Sequence, residues 1–330
     1  MKPKTDNLKP IAIGIFGVGH LGKIHVKLLK EMPQWFRISG FYDPDESASQ
    51  YASRELGLHG FNHPLELVQA VDVVLVASPT ATHFDLALLS IENNKHVFIE
   101  KPVCANETQA AALLQATEGK NLVIQVGHVE RFNPVFTALM PHLGSFKPQK
   151  MVAQRIAPFT PRGADVSVVH DLMIHDLDLA FAIAGKTAEV VFIEATGEAV
   201  VTPTLDIAHV RLIFDTGFEV NLEANRCAQH RVRGFKLMDN QTCFKADLLH
   251  QKLSYWHLTG KKPNTHTPVE VKITNHNAIA QELTAFACAI ANQHEPPLVN
   301  LATAYKAMHL SDQICQIISQ QNQVQPLVYN

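Results

Sequence analysis

The sequence lacks any apolar run near the roughly 20 residues that a membrane-spanning helix needs. Its polar first ten residues, MKPKTDNLKP, contain no apolar segment typical of a cleaved signal. Neither sign of charge dominates, because 28 Lys and Arg stand against 31 Asp and Glu, giving a formal net charge of −3. We therefore expect a soluble, cytoplasmic protein that binds neither nucleic acid nor membranes.

Cysteine is scarce and scattered. The five cysteines lie far apart and form no CxxC pair, which argues against a disulfide framework and a structural zinc site: Cys104, Cys227, Cys243, Cys288 and Cys315. Internal repeats and low-complexity segments are also missing. Hydrophobic residues make up 46% of the 330 residues, which is enough for a folded core. That length favours two domains.

The first part of the chain alternates short apolar runs with helix-like stretches. The runs contain few polar residues, as expected for strands buried on both faces: Ile11–Phe16, Phe36–Tyr42, Val71–Ala77, His96–Ile99 and Leu122–Val126. Between Thr80 and Ile91 the apolar residues fall at helical spacing. This alternation predicts an α/β fold in which an N-terminal domain, residues 1–128, contains a parallel sheet with helices on both faces.

The pattern changes after residue 150. Strand-like runs occupy 151–158, 189–200, 207–215, 217–226, 232–239 and 241–247, and Asp215-Thr216-Gly217 is typical of a hairpin turn. Helices predicted near 165–185, 276–292 and 300–321 are expected to cover one face of this sheet. We therefore expect a C-terminal α+β domain, residues 129–330, with an open, largely antiparallel sheet and a junction near Gly127–Asn133.

A glycine-rich segment follows the first predicted strand and opens a helix. It reads Gly-Val-Gly-His-Leu-Gly from Gly17 to Gly22. Gly17 permits a tight turn, Gly19 lets the backbone approach a pyrophosphate, and Gly22 lets the helix pack closely on the sheet. The helix N-terminus attracts phosphate. The segment therefore predicts a dinucleotide site that includes Gly17, Gly19, His20, Leu21 and Gly22.

Asp43 ends the second predicted strand. A carboxylate there accepts hydrogen bonds from the adenosine ribose hydroxyls and repels a 2′-phosphate, which favours NAD over NADP. Asp43-Pro44-Asp45 is also compatible with an ordinary solvated turn. Ser78, Thr80 and His83 follow the third strand at the same sheet edge, where they are expected to contact the nicotinamide ribose, although Thr80 is equally suited to cap a helix.

The motifs and their order resemble the Gfo/Idh/MocA family of oxidoreductases. The resemblance extends over essentially the whole chain and rests on the glycine segment, Ala77-Ser78-Pro79-Thr80 with His83, Glu100-Lys101-Pro102 and Asp171-Leu172-Met173-Ile174-His175-Asp176-Leu177-Asp178. It implies that the N-terminal domain is an NAD-binding Rossmann domain and that the protein transfers hydride between NAD and a sugar or polyol. It also implies homo-dimers or homo-tetramers formed through the C-terminal sheet.

Two further strings resemble a narrower group in this family, the UDP-N-acetylglucosamine 3-dehydrogenases, which supply a keto sugar for the diamino sugars of lipid A. They are Val126-Gly127-His128-Val129-Glu130-Arg131-Phe132-Asn133-Pro134 and Asp165-Val166-Ser167-Val168-Val169-His170. If the substrate is such a nucleotide sugar, Arg155 and Arg162 are candidate diphosphate contacts, because guanidinium pairs well with phosphate oxygens. Both are equally compatible with surface ion pairs.

The resemblance and the residue chemistry together select the reacting groups. Lys101 follows a strand at the carboxyl edge of the predicted sheet, where open α/β sheets bind ligands, and adjoins Glu100. Asp171, His175 and Asp178 are spaced to share one helix face. Imidazole is suited to proton transfer near neutral pH. We expect Lys101, His175 and Asp171 to be catalytic, Glu100 and Lys101 also to touch the cofactor, and Asp178 to be structural.

A metal site is not expected, and two alternatives to a nucleotide-sugar dehydrogenase stay open. His170 and His175 do not share a helix face, so we expect no metal. The substrate is otherwise a free sugar or an inositol-like polyol. A non-catalytic, dinucleotide-sensing regulator with the same fold is the remaining alternative, although such a sensor has no need for Lys101, Asp171 and His175 together.

Overall fold

The computed structural model describes residues 9–144, 146–161, 163–258, 267–292 and 297–324. The chain forms two compact units. The first unit comprises the residues up to Val129 together with Ala278–Lys306, and the second comprises Glu130–Asn277 together with the residues from Ala307. The chain therefore returns to the first unit late in the sequence, which the prediction of two consecutive domains did not include.

The described residues contain thirteen strands. In chain order they are β1 (Ile11–Phe16), β2 (Phe36–Tyr42), β3 (Val73–Val76), β4 (His96–Glu100), β5 (Ile124–Gly127), β6 (Lys150–Ile156), β7 (Val190–Glu198), β8 (Ile207–Phe214), β9 (Glu219–Asn225), β10 (Val232–Met238), β11 (Thr242–Asp247), β12 (Lys252–His257) and β13 (Val269–Glu270).

The same residues contain nine α-helices: α1 (His20–Lys30), α2 (Glu46–Arg54), α3 (Pro64–Gln69), α4 (His83–Glu92), α5 (Glu107–Thr117), α6 (Pro134–Leu139), α7 (Ile174–Ala184), α8 (Ala278–Asn292) and α9 (Leu301–Val324). Short 3-10 turns lie at Thr80–Thr82, Val129–Phe132 and Met140–Leu143, and a π turn at Val169–Met173 leads directly into α7.

The first unit is built on a parallel sheet with strand order β2-β1-β3-β4-β5. The strand order reverses direction between β1 and β3, which is the position where open α/β sheets bind ligands beyond the carboxyl ends of their strands. Strand β3 is buried along its whole length, and β1 and β4 are buried except at their first residues. Their largely apolar composition reflects helices on both faces.

One face of this sheet packs against α1 and α8. Phe98 of β4 lies in edge-to-face contact with Phe286 of α8, and Leu283 lies in the same core cluster as Ile13 and Leu75. The prediction that the helix near 276–292 covers the C-terminal sheet was therefore wrong. Its apolar spacing shows that one side is buried, but it carries no information about which sheet that side meets.

The second unit contains an eight-stranded sheet of order β13-β12-β11-β10-β6-β9-β8-β7. All neighbouring pairs are antiparallel except β6 and β9, which are parallel. Gly217, at φ +82°, turns the chain between β8 and β9 and donates to the Phe214 carbonyl at 2.8 Å. The predicted hairpin is thereby confirmed.

The two faces of this sheet differ in composition. Val220, Leu222 and Ala224 of β9 face a core that includes side chains from α6, α7 and α9. Their neighbours Asn221 and Glu223 are half-buried on the opposite face, which these helices leave uncovered. A parallel sheet in the first unit and a largely antiparallel sheet in the second confirm the predicted fold class, although strands β12 and β13 were not predicted. No helix among the described residues has the length and hydropathy required to cross a bilayer.

Candidate functional site

The glycine segment lies at the carboxyl end of β1. Gly17 has φ +86° and donates to the Tyr42 carbonyl at 3.0 Å. A Cβ atom at Gly17 would lie 2.6 Å from the backbone of Ser78, so the turns after β1 and β3 touch here. A Cβ atom at Gly22 would overlap the Gly17 carbonyl oxygen. Both glycines are therefore required by close backbone contacts within the unit.

Gly19 is different, because no atom lies within 4 Å of the position that its Cβ would take. It is exposed and precedes α1, whose N-terminus has no side-chain cap. The open space and the uncapped helix N-terminus together form a cradle for an anionic group. His20 is exposed and Leu21 is half-buried at the first positions of this helix. The segment fits the pyrophosphate of a dinucleotide.

Asp43 lies beside this cradle. Its Oδ2 accepts a hydrogen bond from the Val18 backbone at 2.8 Å, and its Oδ1 accepts one from the Asp45 backbone at 3.0 Å. The carboxylate is half-buried. Because each oxygen has a second lone pair, Asp43 retains the capacity to accept from ribose hydroxyls. Asp45 caps α2 by accepting from Ala48, so this segment is more than a solvated turn.

His83 joins the turns that follow β3 and β4. Its Nε2 lies 2.9 Å from the Ser78 carbonyl, its Nδ1 lies 2.9 Å from the Pro102 carbonyl, and it is 1% exposed. Burial lowers the pKa of His83, although both carbonyls oppose this effect. With its ring enclosed and both nitrogens engaged, His83 does not contact a ribose. That prediction is corrected: His83 positions these turns.

Ser78 and Thr80 remain half-buried at the same edge. Ser78 Oγ lies 2.7 Å from Thr82 Oγ1, which itself donates to the Pro79 carbonyl. Thr80 opens the 3-10 turn, and neither this turn nor α4 has a side-chain cap. The alternative role for Thr80, helix capping, is therefore not found here.

Glu100 is buried at the end of β4. Its Oε1 lies 2.5 Å from His25 Nε2 on α1, and its Oε2 accepts from the Lys101 backbone at 3.2 Å. Burial opposes ionisation of Glu100, but His25 and Lys101 outweigh burial and hold its pKa below the ordinary value. The side chain ties α1 to the turn that carries Lys101. Glu100 is therefore a positioning residue for this turn, and its contact with the cofactor stays a prediction. Lys101 itself is half-buried.

In the second unit, Asp171 belongs to the π turn and His175 to the first turn of α7. Both are half-buried. Such π turns are rare and recur at functional sites. Asp178 was expected to share their face, but it is fully buried and accepts hydrogen bonds from Arg131 at 2.6 and 2.9 Å. Its predicted structural role agrees with this ion pair.

Arg155 is 3% exposed and lies within a buried ionic network. It donates twice to Asp176 at 2.8 Å and once to Glu130 at 2.9 Å. Burial opposes ionisation of Glu130, but the charges of Arg155 and Arg233 hold the pKa of Glu130 below its usual value. The Arg155 guanidinium thus donates to protein carboxylates, and the assignment of Arg155 as a diphosphate contact is corrected. Arg162 lies outside the described residues.

A further buried ion pair, between Arg226 and Asp206, lies near Asp171 and was missed in the sequence. Arg226 donates to Asp206 at 2.7 Å and to the Gly163 and Val166 carbonyls at 2.8 Å. Gly163, at φ +73°, adjoins Asp171 so closely that a Cβ atom would lie 2.9 Å from the Asp171 carboxylate. Arg226 thereby fixes the loop that packs against Asp171. Nothing in the residue pattern around Arg226 indicated these partners.

Lys101 lies in the first unit, whereas Asp171 and His175 lie in the second. Their joint action on one substrate therefore stays a prediction. Among the residues that the structure describes, no group of three or more His, Cys, Asp or Glu side chains is arranged to hold a metal ion.

Comparisons with known proteins identify the family and the fold. Residues 11–128 match the family model GFO_IDH_MocA, described as an oxidoreductase family with an NAD-binding Rossmann fold. The UDP-N-acetylglucosamine 3-dehydrogenase of Acidithiobacillus ferrooxidans is 32% identical over 286 residues, 86% of this chain and 89% of that protein. The scyllo-inositol 2-dehydrogenase (NAD(+)) of Bacillus subtilis is 24% identical over 311 residues, 88% of this chain and 89% of that protein.

Solved structures show the same fold. The Acidithiobacillus ferrooxidans UDP-N-acetylglucosamine 3-dehydrogenase superposes with a TM-score of 0.87 at 29% identity, covering 95% of this chain and 99% of that one. A levoglucosan dehydrogenase in complex with NADH superposes with a TM-score of 0.83 at 16% identity, covering 94% of this chain and 98% of that one, which supports the fold alone. The predicted resemblance is thus confirmed, and the chain belongs to the Gfo/Idh/MocA family of oxidoreductases, with an NAD-binding Rossmann fold.

Proposed function

We propose that this protein is an NAD-dependent dehydrogenase that oxidises the 3-hydroxyl of UDP-N-acetylglucosamine to a ketone. The observation that carries the proposal is the 32% identity, over 86% of the chain, to a UDP-N-acetylglucosamine 3-dehydrogenase. The inositol dehydrogenase relative covers a similar share of the chain but is only 24% identical. The keto product suits a following amination, as the synthesis of lipid A diamino sugars requires, and we place the reaction in the cytoplasm.

The first unit supplies the residues that would hold NAD. Gly17, Gly19 and the N-terminus of α1 suit the pyrophosphate, and Asp43 suits the adenosine ribose. When bound, NAD accepts the hydride at its nicotinamide ring. A comparison of NAD and NADP in the same assay tests the role of Asp43, and a strong preference for NADP would contradict it.

In this proposal Lys101, Asp171 and His175 serve one sugar hydroxyl. His175 takes the hydroxyl proton, since neutral imidazole is a competent base near pH 7. The ammonium group of Lys101 stabilises the negative charge that develops on the oxygen as the proton leaves. Asp171 orients the imidazole or accepts a hydrogen bond from the sugar. Glu100 and His83 position the turn of Lys101, while Arg155 holds the neighbour of His175.

The substrate is tested by incubating the purified full chain and NAD with UDP-N-acetylglucosamine, N-acetylglucosamine, scyllo-inositol and myo-inositol. NADH formation is followed by absorbance, and the ketone is trapped with a hydrazine and identified by mass spectrometry. We expect NADH and a trapped 3-keto sugar only with the UDP-sugar. NADH formation with an inositol alone would favour a polyol dehydrogenase, and no NADH with any compound would favour a non-catalytic sensor.

The catalytic roles are tested with Lys101→Met and His175→Ala. Each should lower kcat by about 10²- to 10⁴-fold, because positioned acid–base groups contribute that much, while NADH affinity stays nearly unchanged. Lys27→Met is the matched control, since Lys27 is exposed on α1. Near-normal turnover in either site variant would remove that residue from the mechanism.

We also propose a homo-dimer or homo-tetramer formed through the uncovered face of the second sheet. A depression on this face is lined by side chains of β6, β7, β8 and β9, among them Val152, Gln154, Thr196, His209, Asn221 and Glu223. Val152 is 36% exposed there. Sedimentation equilibrium should give the mass of a dimer or tetramer. A monomer at all concentrations would contradict this arrangement.

A further inference from the structure

Three side chains of the second unit form a connected chain of polar contacts that the proposed reaction does not use. The Sγ atom of Cys315 lies 3.8 Å from Nδ1 of His170, and Nε2 of His170 lies 2.7 Å from Oδ1 of Asp312. Cys315 and Asp312 are three residues apart on α9, and His170 lies on the π turn. Cysteine, imidazole and carboxylate thus follow one another in space.

This order is typical of an activated nucleophile: a thiol within reach of a base that a third group orients. When Nε2–H of His170 donates to Asp312, Nδ1 faces the sulfur and can take the thiol proton. Burial opposes protonation of the ring, but Asp312 and Cys315 outweigh it and raise the pKa of His170 to about 9. The thiolate is the reactive form of cysteine, and this geometry places beside the Cys315 thiol a base that can take its proton.

The surroundings of Cys315 complete the site. Ser167 Oγ lies 3.5 Å from Sγ, within range of a third polar contact. Cys315 is half-buried, and the His170 side chain is 15% exposed. None of the five cysteines, all of which lie in the described part of the chain, forms a disulfide.

Other cysteines have environments that disfavour ionisation. Burial raises the pKa of Cys227, Cys243 and Cys288 above the ordinary value. Cys104 is fully buried. Cys227 is the useful comparison, since it is half-buried like Cys315 but lies near the carboxylate of Asp206, whose charge raises its pKa further. Cys227 therefore serves as an internal reference for the reactivity of Cys315.

We propose that Cys315 is a modification site for hydroperoxides. The thiolate sulfur attacks one peroxide oxygen, an S–O bond forms and the O–O bond breaks, so that sulfur loses two electrons and the peroxide gains them. The leaving hydroxide takes the proton of His170 and departs as water, and Cys315 becomes a sulfenic acid. Hydrogen peroxide is the oxidant, and no other co-reactant is needed.

The test treats the native full chain with hydrogen peroxide in the presence of dimedone, which traps sulfenic acids, and measures adducts at each cysteine by mass spectrometry over time. We expect Cys315 to be labelled at least about tenfold faster than Cys227 in the same molecules. Equal labelling of the two cysteines in the native chain would overturn the proposal. This comparison needs no variant and is independent of dehydrogenase activity.

Two variants then examine the cause. His170→Gln, checked for a native circular dichroism spectrum, should slow labelling of Cys315 by about tenfold and leave Cys227 unchanged. Cys227→Ser is the matched control and should leave Cys315 labelling unaltered. Unchanged labelling of Cys315 in folded His170→Gln would also overturn the proposal, because the imidazole would then contribute nothing to its reactivity.

Discussion

Arg155 binds Asp176 through two parallel hydrogen bonds of 2.8 Å in the interior of the second unit. This pair joins β6 to α7 and fixes the rotation of the helix about its axis. Because His175 precedes Asp176 in the chain, the same pair sets the direction in which the imidazole leaves the helix. A residue that sequence reasoning assigned to substrate binding is therefore part of the framework of the candidate site.

Removing one partner of this network should be costly. Arg155→Met leaves Asp176 buried without its cation and removes one of the two cations beside Glu130, the other being Arg233. We expect the free energy of unfolding to fall by about 3–5 kcal/mol. Urea denaturation followed by circular dichroism measures the change. Arg211→Met is the matched control, because the Arg211 side chain is 41% exposed in its pair with Glu219 and should cost less than about 1 kcal/mol. Similar losses in both variants would refute this assignment.

The glycine segment allows cofactor binding to be separated from folding. A methyl group at Gly19 meets no atom within 4 Å. Gly19→Ala should therefore unfold at the wild-type temperature in the absence of NADH, yet bind NADH at least about tenfold more weakly, since the methyl group occupies the phosphate cradle.

Gly22→Ala is the contrasting variant. Its methyl group would overlap the Gly17 carbonyl oxygen, so the loss should appear in the stability of the protein without cofactor, by about 1–3 kcal/mol. Thermal unfolding and NADH fluorescence titration measure the two effects. Wild-type NADH affinity in Gly19→Ala would show that the phosphates bind elsewhere.

The stability of the second unit should depend on pH through His170. Its pKa in the folded chain is about 9, above its ordinary value of 6.5, because Asp312 and Cys315 outweigh the burial that opposes protonation. The protonated ring therefore stabilises the folded chain fully below pH 6.5, and this contribution is lost as the pH rises through 9. The shift corresponds to about 3 kcal/mol at most.

Urea unfolding at pH 6.5 and pH 9 measures this effect. Wild-type protein should lose more stability than His170→Gln over this interval, and the difference between the two losses reports on the imidazole together with its neighbours Asp312, Cys315 and Ser167. Parallel pH dependences of the two proteins would show that the ring is not charged in the folded chain.

Arg226 is expected to act as a positioning residue for the substrate. Arg226→Gln breaks the contacts to Asp206 and to the loop at Gly163 that packs against Asp171. We expect KM for the sugar to rise by about tenfold and NADH affinity to stay unchanged, because the phosphate cradle belongs to the first unit. Arg226→Lys should recover part of the loss. An unchanged KM in a folded Arg226→Gln protein would exclude this role.

Much of the first unit followed from the sequence. The apolar run Ile11–Phe16 matches β1, because a strand buried on both faces needs continuous apolar residues. The predicted run Phe36–Tyr42 also matches β2, although Arg37 within it is exposed. The glycine segment lies where it was expected. No residue larger than glycine fits at Gly17 and Gly22, because a Cβ atom at either position would meet backbone atoms. Strand composition and glycine spacing are local patterns, although the close contact that requires Gly17 is with the distant backbone of Ser78.

The partners of charged residues were not predictable in this way. Residue type indicated that Arg155 would bind an oxyanion, but a guanidinium accepts a phosphate or a carboxylate equally well. The partner in the fold is Asp176. His83 was similarly placed at the correct sheet edge, but its ring points between two backbone turns.

The sequence by itself determined the two kinds of sheet, the phosphate cradle and the candidate acid–base residues, because hydrophobic period, glycine spacing and side-chain chemistry act over a few neighbouring positions. Only the tertiary structure decided that α8 returns to the first unit, that Arg226 fixes the loop beside Asp171, and that His170 joins Cys315 to Asp312. These relationships join positions that are distant in the sequence. An apolar face or a charged side chain shows which type of partner it requires, but it does not show which residue provides that partner.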